Sequence, residues 1–223
     1  MGAFVTSLKS NFISMIYSHI KAIIYPLGIM KVKNNTVTNN DNKADENGID
    51  KLKDLENEDV EYRIGTLEDL NDIMRIDYET FKDGEVYSYY IWNMLLQDKT
   101  FFVAIKDKQI VGYNVCADLP QYLPTEIKNF VKENNIPILI IIMSFAVSEK
   151  MRGKGVGNGL MKIMLNYFQH KAPISIGLQV RKSNTPALNL YAKHGFIRHD
   201  IELHEYYKGT NPENGLFMYK YLV

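Results

Sequence analysis

The chain has 223 residues, 46% of them hydrophobic, and a formal net charge of +0. That is enough apolar material for one well-packed domain with sequence to spare, and the balanced charge argues against a general nucleic-acid binder. A single cysteine, Cys116, excludes an internal disulfide framework and a cysteine-rich metal site. The five histidines show no H-x-x-x-H or H-E-x-x-H spacing, so no metal is assigned.

In residues 1–30, Phe4, Val5, Leu8, Phe12, Met15, Ile16, Ile20, Ile23, Ile24 and Leu27 follow a helical stripe that Pro26 should end. Asn11, Ser14, Ser18 and His19 interrupt the apolar run, which makes it a poor secretory signal and a poor membrane span. Three readings stay open for this amphipathic segment. It is a helix lying on an anionic membrane as a peripheral contact, with Met1-Gly2-Ala3-Phe4-Val5-Thr6 fitting a myristoylation pattern. It is a helix packed on the domain or a partner, or it precedes a start codon near Met30. Residues 31–58, rich in Asn, Lys, Asp and Glu, bury too little apolar surface to offset their ordering entropy and read as a flexible polar linker. The folded domain is expected over 59–223.

That domain opens with a short strand at Tyr62-Arg63-Ile64. Thr66 then caps a helix, with Asp69 placed as in a capping box and Leu70, Ile73, Met74, Ile76 and Phe81 on the inner face. A second helix is expected over Ser88–Gln97. Thr100–Ile105 and Ile110–Ala117 form a strand pair about a turn at Lys106–Gln109. Cys116 lies in the second of these strands and reads as a packed core residue. From Asp118 to Ile136, Pro120 and Pro124 punctuate a stretch whose residues Thr125–Lys132 have helical spacing.

The organising stretch follows, Pro137 to Leu160. Its apolar run is bounded by Pro137 and by Ser148-Glu149-Lys150, and reads as a strand buried on both faces. A basic glycine turn comes next, Arg152-Gly153-Lys154-Gly155-Val156-Gly157, and then Leu160, Ile163, Met164, Tyr167 and Phe168 at helical spacing. A strand, a glycine turn and a helix start make a place to hold phosphate: the backbone can come close, the first amides are free, and the helix dipole favours an anion. The dinucleotide pattern G-x-G-x-x-G fails at its last glycine. The nucleoside-triphosphate loop fails because Gly155, not Ser or Thr, follows Lys154.

The pattern R-x-x-G-x-G, here Arg152, Gly155 and Gly157, resembles the pyrophosphate turn of the GNAT acetyltransferase superfamily. A further buried strand, Ile174–Val180, runs into V-R-x-S-N-x-x-A-x-x-L-Y-x-x-x-G-F, from Val180 to Phe196, which resembles that superfamily's second signature. Its wording, and the tail with Tyr206-Tyr207-Lys208-Gly209 and Met218, is most similar to the branch acetylating protein N-termini, ribosomal-protein-alanine acetyltransferases included. The likeness covers roughly Glu61 to Val223. It implies an α/β GNAT acyl-CoA N-acyltransferase fold, its mixed central sheet splayed between the fourth and fifth strands, with helices on both faces. Compared with that family, the Asp118–Ile136 stretch is long, and reads as a surface elaboration or a lid over the acceptor site.

The resemblance also implies the site. Acetyl-CoA is the co-substrate, with no metal. The amides of Phe145, Ala146 and Val147 hold the acetyl and pantetheine groups; Arg152, Gly153, Lys154, Gly155, Val156 and Gly157 bind the pyrophosphate. Asn184 contacts the pantetheine arm, although it also stands where a helix cap is expected, and Tyr191 protonates the departing thiolate. Phe81, Tyr206 and Tyr207 wall the entrance for a protein or peptide N-terminus, a ribosomal protein among the acceptors envisaged, in a cytoplasmic enzyme.

One position departs from the branch. Where its ribosomal-protein-alanine members carry a glutamate proposed as general base, this chain has Gln179, and Ile138–Met143 is wholly apolar. Glu79, Glu205 and His204 are the remaining candidates for a base acting through water. An α-amine has a pKa of about 7.7–8.0, so roughly a third is neutral near physiological pH, whereas for lysine, at about 10.4, about a thousandth is. A missing base therefore favours an α-amine acceptor. The alternatives are transfer to a small amine (polyamine, amino sugar or antibiotic) and a non-catalytic acyl-CoA-binding module.

Overall fold

The structure, a computed structural model, describes residues 59–81, 89, 92, 96, 101–118, 120–207 and 212–223. The expected N-terminal segment and linker, and most of the helix expected over 88–97, lie outside these residues. Among the described residues no helix is long and apolar enough to cross a membrane.

Strand β1 (Glu61–Ile64) leads through a one-turn 3-10 segment (Leu67–Asp69) into α1 (Leu70–Thr80). The entry is tied as the capping-box spacing predicts. The Thr66 amide donates to Asp69 Oδ2 at 2.7 Å, and Arg63 grips the same carboxylate with both terminal nitrogens at 2.7 and 2.9 Å. Burial pushes the Asp69 carboxyl up, but the Arg63 and Thr66 bonds outweigh it and hold the group below its ordinary value. Their stabilisation is thus fully present above about pH 3.9, the unfolded value, and is lost as pH falls through the lower folded one.

Hairpin β2 (Phe101–Lys106) and β3 (Gln109–Ala117) turns through Asp107 and Lys108, with φ of 51° and 62°. Two consecutive left-handed residues are what a two-residue hairpin matched to strand twist requires. A 3-10 turn (Pro120–Tyr122) and α2 (Thr125–Glu133) precede β4 (Leu139–Val147). Then come α3 (Val156–Gln169), β5 (Ile174–Arg181), α4 (Thr185–Lys193), β6 (Ile197–Tyr207) and β7 (Glu213–Leu222).

The seven strands form one sheet in the order β1-β2-β3-β4-β5-β7-β6. Only β4 and β5 are parallel neighbours; every other pair is antiparallel. Helices cover both faces, as expected. Helices α3 and α4 lie over a core that includes Cys116, Ile140, Ile142, Leu160, Met164, Leu178 and Tyr191. On the opposite face α1 packs with Trp92, Phe101, Val103, Tyr113 and Val115, and α2 packs its Ile127 and Phe130 against Ile141, Leu203 and Phe217. The long Asp118–Ile136 stretch is therefore built into the core through α2. Cys116 is fully buried, and burial pushes its thiol pKa up, which keeps it an inert packing group.

Candidate active site

The site begins where two strands part. Parallel pairing of β4 with β5 runs from Leu139–Ser175 to Ile142–Leu178 and stops, although β4 continues to Val147 and β5 to Arg181. A bulge falls at the same level. Val115 of β3 faces Ser144 while Cys116 faces Ile142, so Met143 is an extra residue in β4. Bulges bend a strand and increase its twist, which turns the end of β4 away from β5.

The open wedge is lined by backbone. The Ser148 amide donates to the Val111 carbonyl at 2.8 Å. Since backbone groups alternate sides along an antiparallel pair, the Ala146 amide turns to β3 and those of Phe145 and Val147 turn into the wedge. Of the three residues expected to hold the acetyl and pantetheine groups, two thus offer an amide there. The third, Ala146, is a buried ladder residue.

The glycine turn closes the wedge at one end. Gly153 and Gly155 have φ of 72° and 82°, and Gly155 is the N-cap of α3. Such angles strain any residue with a side chain. Within the first turn the Gly159 amide already donates to the Gly155 carbonyl at 3.1 Å. The amides of Val156, Gly157 and Asn158 precede it at the helix start, where no acidic residue opposes an anion. The Val156 side chain is buried in the core, so this residue can offer only its amide. Gly157 has room: a Cβ there would meet nothing nearer than Leu190 at 3.4 Å. Arg152 is exposed and spends its Nε on the Val147 carbonyl at 3.1 Å, tying the turn to the end of β4. Lys154 is exposed beside it. Gly159 plays a different part, because a Cβ there would lie 2.1 Å from the Tyr62 ring; it is a packing glycine.

Across the wedge, Asn184 caps α4. Its Oδ1 accepts the Ala187 amide at 3.2 Å, and Pro186 stands in the first turn, where a missing N–H costs nothing. The cap uses the oxygen of this exposed carboxamide, whose nitrogen makes no hydrogen bond among the described residues.

Tyr191, two helix turns beyond Asn184, is 7% exposed and packs against Phe145 and Phe196, with ring centroids at 6.5 and 5.9 Å. Burial, with a smaller contribution from neighbouring Cys116, pushes its phenol pKa up, so the hydroxyl stays protonated across the physiological range.

Leu178 and Val180 point into the core beneath α3, so Gln179 between them faces the other way, towards the α1–α2 side. Phe81, the C-cap of α1, and Tyr206, at the end of β6, pack at the rims of the two clusters on that face; Met143 packs against both clusters between them. Tyr207 lies against Tyr206, with ring centroids at 5.0 Å, and Arg181 sits 4.5 Å over its ring.

The three candidate bases are exposed. Glu79 is held by Arg75 at 3.6 Å on the outer side of α1. Glu205, at φ 45°, and His204 belong to the irregular end of β6. None is brought into the wedge.

Sequence reasoning missed a buried polar cluster beside the bulge. Asp77, Tyr113 and Ser144 are 1%, 0% and 6% exposed. Tyr113 donates to Asp77 Oδ1 at 2.7 Å, Ser144 donates to the same oxygen at 3.3 Å, and the two hydroxyl oxygens are 3.0 Å apart. An aspartate on the inner face of α1 breaks the apolar period, and that interruption was the available signal.

Residues 67–196 match the sequence profile of the Acetyltransferase (GNAT) family. An N-alpha-acetyltransferase of Sulfurisphaera tokodaii is 30% identical over 160 residues, 68% of this chain and 89% of that protein. A streptothricin acetyltransferase of Escherichia coli is 35% identical over 83 residues, 37% of this chain and 48% of that one. Among solved structures, Ard1 from Thermoplasma volcanium superposes with a TM-score of 0.58 at 24% identity, covering 74% of this chain and 99% of its own. The NatC complex bound to Gag peptide and CoA gives 0.61 at 22% identity, covering 74% and 99%. With the splayed β4 and β5, the glycine turn and this profile over most of the domain, the chain belongs to the GNAT acetyltransferase family.

Proposed function

We propose that this acetyltransferase takes acetyl groups from acetyl-CoA and transfers them directly to the N-terminal α-amine of a protein or peptide. The observation that carries the acceptor class is the chemistry of the two strands lining the wedge. Neither β4 (LIIIMSFAV) nor β5 (ISIGLQVR) carries a carboxylate or histidine, and Gln179 occupies the position facing the acceptor side. The name of the Sulfurisphaera relative supports the same reading. The E. coli solved structure named for ribosomal protein S18 alanine makes ribosomal N-termini a subset to test.

In this reading the amides of Val156, Gly157 and Asn158, with Arg152, Gly153, Lys154 and Gly155 around them, bind the pyrophosphate. Asn184 donates its free amide hydrogen to the pantetheine arm. The Phe145 and Val147 amides hold that arm and the thioester carbonyl. The acceptor enters between Phe81 and the Tyr206–Tyr207 pair, on the opposite face of the sheet from α3, so donor and acceptor meet at the parted strand ends. The neutral amine attacks the thioester carbon, the C–N bond forms and the C–S bond breaks. The thiolate takes the Tyr191 proton, and the amine's surplus proton passes to water, from which the phenol is restored.

A pH–rate series tests this. With an α-amino peptide, kcat/KM should rise with pH and level off near the α-amine pKa of about 7.7–8.0. Gln179→Glu should speed turnover below about pH 7.5, where the amine is mostly charged, and the gain should fade above it. A wild-type rate still climbing beyond about pH 9, as lysine or polyamine titration would produce, contradicts the proposal.

A further inference from the structure

We infer that Asp77 is a positioning residue for acetyl transfer, acting through Ser144 to fix the β4 bulge and so to aim the Phe145 and Val147 amides. The inference rests on the reading that those amides hold the thioester.

Past Ile142, β4 has lost its β5 neighbour and is held by β3 alone. Met143 is the extra residue, and Ser144 is where the ladder resumes, opposite Val115. A strand's backbone groups alternate with period two, so the residue at which the ladder resumes decides every amide direction beyond it. If the bulge were lost, β4 would advance by one residue on β3, placing Phe145 opposite Tyr113 and Ala146 opposite Gly112, so that Ala146 would present its amide to the wedge while Phe145 and Val147 turned theirs to β3. Pairing with β3 does not by itself oppose that loss, since the ladder would then run unbroken past Ile142.

Ser144 supplies a second hold. Its hydroxyl reaches Asp77 Oδ1 at 3.3 Å in a site where all three polar partners are less than a tenth exposed. An unmade hydrogen bond is costly in such surroundings, so Ser144 has a strong preference for the one position at which the bond forms. Asp77 is itself fixed by Tyr113 at 2.7 Å, and Tyr113 stands on β3 opposite Ala146. The carboxylate thus references the bulge in β4 to the neighbouring strand and to α1. The same helix ends at Phe81, whose amide donates to the Asp77 carbonyl at 2.9 Å. One residue therefore ties the donor amides and the acceptor wall to a common frame.

Difference infrared spectroscopy of full-length protein with acetyl-CoA carrying a 13C-labelled carbonyl tests this, because hydrogen bonding to the thioester oxygen lowers its stretching frequency. Wild type should show the lowered band. Ser144→Ala and Asp77→Ala should each lose most of the lowering, and Ser144→Thr should keep it. CoA affinity by calorimetry should stay within about twofold in all three, since the pyrophosphate turn is untouched. If Ser144→Ala does not fold, Ser144→Cys, of similar volume and with only a weak S–H donor, should show the same loss. A lowered band retained in Ser144→Ala or Ser144→Cys overturns the inference and leaves the acetyl-binding reading standing. CoA affinity falling together with the band makes the cluster a general packing element and also overturns it. Absence of a lowered band in wild type overturns the acetyl-binding reading and this inference with it.

Discussion

Replacing Tyr191 by Phe should lower kcat by about 10²–10⁴-fold, the usual worth of general acid assistance, while acetyl-CoA affinity changes by no more than about twofold. The thiolate of CoA is a leaving group that must be protonated as the C–S bond breaks. Tyr191 lies against Phe145, whose amide opens into the wedge, and its burial keeps the phenol protonated, as the proposed proton donor requires. Phenylalanine preserves the ring contacts with Phe145 and Phe196, so stability and donor binding should survive while the proton is lost. Steady-state kinetics paired with calorimetry separates the two. A Tyr191→Phe variant at the wild-type rate removes the proton-donor role.

The glycine turn should show the second largest effect, and it should depend on which glycine is changed. Gly155→Val places a β-branched residue at φ 82°, a conformation that costs such residues at least about 1–2 kcal/mol. The helix start would shift to relieve the strain, and acetyl-CoA affinity should fall by at least about 100-fold as the amides lose their common aim. Gly157→Ala asks a cleaner question. The added methyl meets Leu190 at an ordinary contact distance of 3.4 Å, so the melting temperature should hold. Only a ligand drawn up to the backbone would feel the methyl, and CoA affinity should still drop by about 10-fold or more. Unchanged affinity in both variants contradicts the pyrophosphate assignment.

Much of this was legible in the sequence because it rests on local chemistry. The apolar runs that include Leu139–Ile142 and Ile174–Leu178 announce strands covered on both faces, and the structure pairs Leu139–Ile142 with Ser175–Leu178 as the one parallel ladder among the described residues. Gly153 and Gly155 announce left-handed turns, and Thr66 with Asp69 announces a helix start. What stayed hidden depends on register. Three successive residues, Phe145, Ala146 and Val147, look equivalent in a sequence, but the bulge at Met143 and the ladder to β3 give the wedge only alternate amides. Gly159, two residues beyond the turn, gives no local sign that its need for hydrogen comes from Tyr62, nearly a hundred residues away. Asp77, Tyr113 and Ser144 are separated by 36 and 31 residues, and no local pattern can bring them together.

The most direct test of the account is to give the full-length protein acetyl-CoA and one peptide carrying both a free α-amine and an internal lysine, near pH 7.4, and to locate the acetyl group by fragment-ion mass spectrometry. With no carboxylate on β4 or β5 to deprotonate lysine, and with about a thousandth of lysine neutral against roughly a third of the α-amine, acetylation should fall on the N-terminus by at least about 100-fold. Acetylation of the lysine at a comparable rate, or an unmodified peptide under conditions where spermidine or streptothricin is acetylated, would contradict it.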